Sequence, residues 1–303
     1  MKQNTSQLLM IEPVQFGFNA ETAVNNVFQK NNGGDIQQKA LEEFRGLVTL
    51  LQKNKIDVTV VKDTGAPHTP DSIFPNNWIS FHEDGHLYLY PMFAANRRLE
   101  RKESVLNVIR EKFIIDEMID LSHHEKEDVY LEGTGSMVLD RVNRIAYACI
   151  SPRTNVKLLH EFCRISYYSP VTFFARDETG ADIYHTNVMM CMADRYAVIC
   201  LASVTDKKEQ EKVIAWLIST GKEIIDISLY QLRCFTGNML QVINADHELL
   251  LIMSTQAYAS LSGLQILRLQ KYNRILHSTL NHIETAGGGS ARCMMAEIFL
   301  QPK

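Results

Sequence analysis

No two of the chain's six cysteines stand close together: residues 149, 163, 191, 200, 234 and 293 lie singly, without a CxxC pair. That spacing indicates neither a structural zinc site nor a disulfide framework. No stretch of about 18 consecutive apolar residues occurs, so no membrane-spanning helix is expected. The opening MKQNTSQLLMIEP has too short an apolar run for a secretory signal, and a cytoplasmic protein is expected. Basic charge is not in excess either. The 31 Lys and Arg against 35 Asp and Glu leave a net charge of −4, which suggests neither a nucleic-acid partner nor binding to an anionic membrane. What is present is ample apolar material: 303 residues, 46% hydrophobic, suffice for one large domain or two ordinary ones.

A first strand is expected around LLMIEP. A helical pattern follows from about Asp35 to Asn54, with apolar residues at Ile36, Ala40, Leu41, Phe44, Leu47, Val48 and Leu51, and then a strand, IDVTVV. From there one grammar repeats four times: strand, tight acidic turn, strand, helix, strand. The turns are HEDGH, LDRVN, MADRY and NADHE, centred on Asp84, Asp140, Asp194 and Asp246, at intervals of 56, 54 and 52 residues. A near-constant period of this length marks repeated supersecondary units. Helices are predicted over roughly 99–112, 154–164, 206–219 and 255–271, each leading to a further strand: FIIDEMIDL, VTFFA, EIIDIS and RILHSTL. A fifth unit assembles from the two ends, with CMMAEIFL pairing beside LLMIEP. Sewing both termini into one module removes exposed sheet edges. The expectation is a single α/β domain over 1–303, a closed ring of five modules; an ordinary α/β sandwich with coincidental spacing is the alternative.

Ahead of the first strand of each module sit SIFPNNW, YLEGTGS, IYHTNVM, CFTGNM and GGGSARC. Polar, Gly- or Asn-rich entrances at matching phase would converge on one face of a ring, where loops on a rigid scaffold carry chemistry. Convergence would gather Asn76, Asn77, Glu132, His185, Asn187, Asn238 and Cys293. Gly287, Gly288 and Gly289 let the backbone turn and leave the sulfur accessible as Cys293 enters an apolar strand. Taken singly, each residue has a plain structural reading. Cys293 would be a small buried hydrophobe, His185 a hydrogen-bonded strand-start histidine, Glu132 a capping residue and Asn77 a turn residue. Together they form a nucleophile, a proton carrier and an acid that holds the imidazole as imidazolium or orients a water.

With these motifs the chain resembles the guanidino-group-modifying enzymes of the pentein fold, which include arginine deiminases, dimethylarginine hydrolases and amidinotransferases. The likeness runs from FPNNW through EGTGS, SPRTN and HTN to the Gly-rich cysteine near the C-terminus. It implies that Cys293 is the nucleophile, His185 the general acid/base and Glu132 its partner. It also implies that Arg153 of SPRTN, with Arg97 or Arg98 of ANRRLE, binds the substrate's carboxylate, and that Asp71 lies near its amino group. No metal or cofactor is required.

Three departures from the family pattern carry information. Asn77 stands where the family usually has a carboxylate gripping the guanidinium, EGTG puts Gly135 where arginine deiminases have the Asp of EGGD, and HTN puts Asn187 where they have the Asp of HxD. A guanidinium only donates hydrogen bonds and is best held by carboxylates. A ureido group is neutral and offers both a carbonyl and N–H groups, which amides complement. The combination of FPNNW and EGTGS also resembles the citrulline-hydrolysing subgroup. The expected activity is therefore hydrolysis of L-citrulline to ornithine, carbon dioxide and ammonia through a covalent Cys293 intermediate. One rival is a deiminase or dimethylarginine hydrolase acting on a guanidinium; the other is a non-catalytic sensor that binds an amino acid. The expected partner is a small-molecule amino acid. A homo-oligomer is compatible with the sequence, which identifies no face for it.

Overall fold

A computed structural model gives the chain's architecture and describes residues 2–31 and 36–303. In chain order its strands are β1 (Gln7–Glu12), β2 (Asp57–Lys62), β3 (Ile79–Phe81), β4 (His86–Leu89), β5 (Glu117–Asp120), β6 (Val138–Asp140), β7 (Ile145–Cys149), β8 (Ser169–Phe173), β9 (Met190–Met192), β10 (Tyr196–Ile199), β11 (Glu223–Asp226), β12 (Leu240–Ile243), β13 (Leu249–Ser254), β14 (Arg274–Ser278) and β15 (Ala296–Glu297). They form five small mixed sheets of three strands, with orders β3-β4-β5, β6-β7-β8, β9-β10-β11, β12-β13-β14 and β15-β1-β2. Each sheet joins an antiparallel pair to a parallel third strand. In the first, Ile79 opposes Leu89 across the hairpin while Leu87 lies beside Met118. In the last, Leu8 pairs with both Glu297 and Val58, so the two ends of the chain share one sheet.

The acidic turns make tight hairpins by bonding their own backbone: Asp140 accepts from the Asn143 amide and Asp84 from the His86 amide. A parallel third strand needs a crossover, and helices supply it: α1 (Ile36–Lys53), α2 (Glu103–Lys112), α3 (Val156–Ser166), α4 (Lys207–Ser219) and α5 (Gly263–Gln270). Asn155 and Asp206 cap α3 and α4 through the amides of Lys157 and Lys208. Along α1 the buried positions Ala40, Phe44, Leu47, Val48 and Leu51 make one stripe against the sheet. Asp35, where the sequence pattern begins this helix, lies outside the described residues. Among the described residues no helix is long and apolar enough to cross a membrane.

The differences from expectation have local causes. The helix predicted over 99–112 begins only at Glu103, because Glu100 and Lys102 turn inward, Lys102 Nζ donating to Asp63 and to the Thr64 and Pro67 carbonyls. The stretch 255–271 splits in two, since Ser262 and Gln265 form a reciprocal cap that starts a new helix at Gly263. CMMAEIFL is a strand only at Ala296–Glu297. Cys293 sits instead in a run of turns, its amide donating to the Ser290 carbonyl at 3.0 Å.

This C-terminal turn is tied down by a buried charge cluster. Glu297 Oε2 accepts from Arg292 Nη2 at 2.8 Å and faces Arg141 Nη2 at 3.6 Å, with all three side chains buried. Removing one partner of such a cluster strands the others without water, which costs about 3–5 kcal/mol. Glu297→Gln is therefore expected to lower the urea midpoint markedly at an unchanged denaturant slope. An unaltered midpoint would show that this carboxylate does not hold the two arginines.

Candidate active site

Three of the five entrance segments, SIFPNNW, IYHTNVM and GGGSARC, close on one small cavity, whose walls include Asp71, Phe74, Asn77, Arg97, Arg153, His185, Gly288 and Cys293. YLEGTGS sets Glu132 against His185, and CFTGNM contributes Asn238 from behind the sulfur. Asn238 Nδ2 lies 3.2 Å from Cys293 Sγ, and its Oδ1 accepts the Arg292 amide at 3.0 Å. That backbone bond sets the side chain's orientation and leaves N–H toward the sulfur. Asn187 Nδ2 adds a second donor at 3.4 Å. Two side-chain amide N–H groups face one sulfur. Asn187, expected to face substrate, thus serves the sulfur instead.

His185 and Glu132 form the second half of the site. His185 Nε2 is 2.7 Å from Glu132 Oε2, while Glu132 Oε1 accepts the Phe93 amide at 2.9 Å. Both side chains are buried. Burial pushes the Glu132 carboxyl up, yet Arg153, His185 and Arg97 together outweigh this and hold it down at about 2. Burial pushes the imidazole down, the Glu132 contact offsets only part of this, and it rests at about 4. A neutral ring beside a carboxylate carries its proton on Nε2, which leaves Nδ1 as an acceptor. The free site therefore holds a base rather than the imidazolium considered from sequence.

Asn77 has the most constrained surroundings. Arg97 Nη1 donates to Asn77 Oδ1 at 2.8 Å, and Arg97 Nε and Nη2 grip the Glu100 carboxylate at 2.8 and 2.9 Å. Nη2 also donates to the Phe74 carbonyl. Because a guanidinium only donates, the Asn77 oxygen must face Arg97 and its Nδ2 must face away. That Nδ2 is buried on the cavity wall without a partner. Gly135 makes room for it: a Cβ there would stand 2.3 Å from Asn77 Nδ2 and 2.9 Å from His185 Nδ1.

Arg153 and Asp71 also line the cavity. Arg153 donates to the Thr22 carbonyl and to Asn25 Oδ1, packs under Tyr184 and approaches Glu132 at 3.5 Å. Asp71 Oδ2 accepts from Asn19 and Thr22, whereas its buried Oδ1 has no partner, and burial raises its pKa.

Two expected ligands are not brought to the cavity. Arg98 turns away and donates to the Met92 and Phe93 carbonyls and to Tyr130. Asn76 braces the first entrance to the second through Thr134 Oγ1 at 3.3 Å. Arg97 does line the site, with four of its five N–H groups bonded to Glu100, Phe74 and Asn77.

Sequence reasoning missed Tyr184, Phe74, Glu100 and the 19–26 segment. Tyr184 Oη donates to the Gly288 carbonyl at 2.6 Å and fixes the glycine turn, where Gly288 has φ +62°. Phe74 packs so near Gly287 and Gly289 that a Cβ on either would fall within 3 Å of its ring. Both aromatics lie inside motifs already singled out; the 19–26 segment carries no comparable signal.

A family model for eukaryotic N,N dimethylarginine dimethylhydrolase matches residues 12–300. The chain belongs to that family. That family lies within the guanidino-group-modifying superfamily. Among solved structures, ArgZ, an arginine dihydrolase from the ornithine–ammonia cycle in cyanobacteria, aligns at a TM-score of 0.77 with 18% identity over 98% of this chain and 41% of that one. The chain thus spans about two fifths of full-length ArgZ. It covers 99% of the ArgZ N-terminal domain solved as a substrate-bound variant, and 97% of it is matched, with a TM-score of 0.74 and 17% identity. The dimethylarginine hydrolase of Pseudomonas aeruginosa, solved as a variant with citrulline, aligns at 0.69 with 14% identity over 98% of this chain and 100% of that one. At such identities the likeness establishes the shared pentein-type fold. Comparison with curated proteins finds no match.

The depressed imidazole gives a pH signature. With a folded pKa near 4 against an ordinary value of 6.5, the native state binds fewer protons than the unfolded one between those values. The stability due to this group is present above about pH 6.5 and declines as pH falls through 4. Ring-proton NMR is expected to show His185 neutral at pH 6, with a midpoint well below that of exposed histidines; a midpoint at or above 6.5 would refute the assignment.

Proposed function

We propose that this chain hydrolyses the ureido group of L-citrulline to ornithine, carbon dioxide and ammonia, with Cys293 as the covalent nucleophile. The observation that carries the reading is the buried, unpartnered Asn77 Nδ2 beside His185, with its oxygen held by Arg97 and no carboxylate at Gly135. A donor in that place needs an acceptor. A ureido carbonyl is one, whereas a guanidinium has none to offer.

In this mechanism neutral His185 takes the Cys293 proton as sulfur bonds to the ureido carbon and the carbonyl π electrons move to oxygen. Asn77 Nδ2 stabilises that developing oxyanion, a contact that strengthens as charge builds. Collapse breaks the bond from carbon to the ornithine nitrogen, which takes the proton from the His185 imidazolium and leaves a carbamoyl thioester. Water then attacks this thioester while His185 accepts its proton. Carbamate departs, the thiol is restored, and carbamate breaks down to carbon dioxide and ammonia. Glu132 steadies the imidazolium at each transfer. Arg153 exchanges its Asn25 and Thr22 bonds for the substrate carboxylate, and Asp71 Oδ1 takes the α-amino group, fixing the reacting carbon.

The same reading takes residues 1–303 as one domain whose five sheets close into a ring. In its support, β3 is flanked by β15 and by the turn at Gly133–Ser136, β9 is flanked by β6 and β12, and α1 of the terminal sheet packs on β14. Family membership favours a second reading, hydrolysis of a guanidino substrate such as dimethylarginine or arginine.

Comparing ornithine and ammonia release from citrulline, arginine and dimethylarginine separates the two. Citrulline is expected to be the faster substrate by kcat/KM, with Cys293→Ser inactive. Asn77→Asp should cut citrulline kcat/KM by roughly tenfold or more, since it replaces a buried donor with an acceptor. Faster turnover of arginine by the wild type would overturn the citrulline assignment.

A further inference from the structure

Glu100 lies outside the cavity lining, yet its environment is as constrained as that of the site itself. It is 2% exposed and holds Arg97, also 2% exposed, through two parallel bonds at 2.8 and 2.9 Å. A forked pair of this kind fixes the guanidinium plane as well as its position. With Nε and Nη2 committed to Glu100, and Nη2 also to the Phe74 carbonyl, Nη1 is the nitrogen that reaches Asn77 Oδ1. An asparagine amide is nearly symmetric in shape, so sterics alone barely distinguish its two orientations. Here the orientation is decided by whatever meets the oxygen, and that group is Arg97.

We propose that Glu100 is a specificity-positioning residue: by clamping Arg97 it fixes the Asn77 amide with nitrogen toward the substrate, so that the site selects head groups bearing an acceptor over those that only donate. The inference rests on the ureido reading of Asn77 but places the control one residue further out, at a carboxylate that touches no substrate atom. Its consequence differs from that of a merely structural ion pair. Loosening the clamp frees the amide to turn its oxygen inward, which suits a guanidinium. The variant then loses discrimination between ligands rather than affinity for all of them. Burial raises the Glu100 carboxyl to about 7, against the opposing pull of the Arg97 charge.

Binding separates this inference from catalysis. In a Cys293→Ser background, dissociation constants for citrulline and arginine are measured by calorimetry with and without Glu100→Gln, which keeps shape but removes the second acceptor. The ratio of arginine to citrulline Kd is expected to fall by about tenfold or more, the worth of one misdirected buried hydrogen bond. Arg97→Met, which deletes the donor to Asn77, should lower the same ratio and stands in if thermal melts show Glu100→Gln to be unfolded. A ratio within twofold of the parent in a folded variant overturns the proposal. If the parent prefers arginine but the ratio still shifts toward it, the clamp stands and the citrulline reading falls. If the parent prefers citrulline and the ratio holds, the clamp falls and that reading stands.

Discussion

A buried guanidinium can only donate, and every group around it must be arranged accordingly. Arg97 is closed in by the Glu100 carboxylate, the Phe74 carbonyl and Asn77 Oδ1. From this one constraint the polarity of the cavity wall follows: oxygen behind, N–H in front. The same device recurs on the opposite wall, where the Arg292 amide claims Asn238 Oδ1 and turns Nδ2 to the sulfur. In both places an amide that could point either way is oriented by a donor that can point only one way. N–H groups thereby face both the Cys293 sulfur and the buried space beside Gly135.

Desolvation does the rest. Glu132, Arg153, Arg97 and Asp71 lie within one buried cluster, and burial alone would neutralise carboxylates and imidazole alike. The two guanidinium charges hold Glu132 ionised while also opposing a proton on His185. A neutral ring beside a fixed carboxylate results, with Nδ1 left as its acceptor.

Much of this was legible in the chain. Hairpins need turn chemistry, so four acidic turns at a near-constant period expose the repeat, and entrance motifs at matching phase point to the residues that meet. The grouping of the terminal sheet follows because LLMIEP and IDVTVV each read as strands and need edges covered. What was not legible lies where long-range partners override a local pattern. CMMAEIFL reads as an apolar strand, yet Arg292 folds back to Glu297 and leaves Cys293 in a turn. ANRRLE offers two arginines with no local cue as to which faces inward. Glu100, three residues on from Arg97, settles it by pairing at helical spacing, a contact visible as a pattern only once the turn at 95–98 is known. The 19–26 segment meets Arg153 across more than 120 residues of chain, beyond any local periodicity.

Family membership and the ureido reading are compatible once the cavity is viewed as a fixed frame with a few exchangeable atoms. On the proposed reading, the sulfur, the imidazole, its carboxylate and the grip on the amino-acid end would serve any substrate whose central carbon is bonded to nitrogen. What distinguishes a guanidinium from a urea is one position on that carbon, an N–H where the other has an oxygen, together with a positive charge. Discrimination can therefore use a change of hydrogen-bond sense where that atom lands. An oxygen on Asn77 facing inward would accept, while the nitrogen that faces inward donates, and a side chain at Gly135 would leave the amide no room. The scaffold need not move for selectivity to invert. The small side of the problem, one amide and the arginine that orients it, is where divergence of substrate within this fold is most readily built.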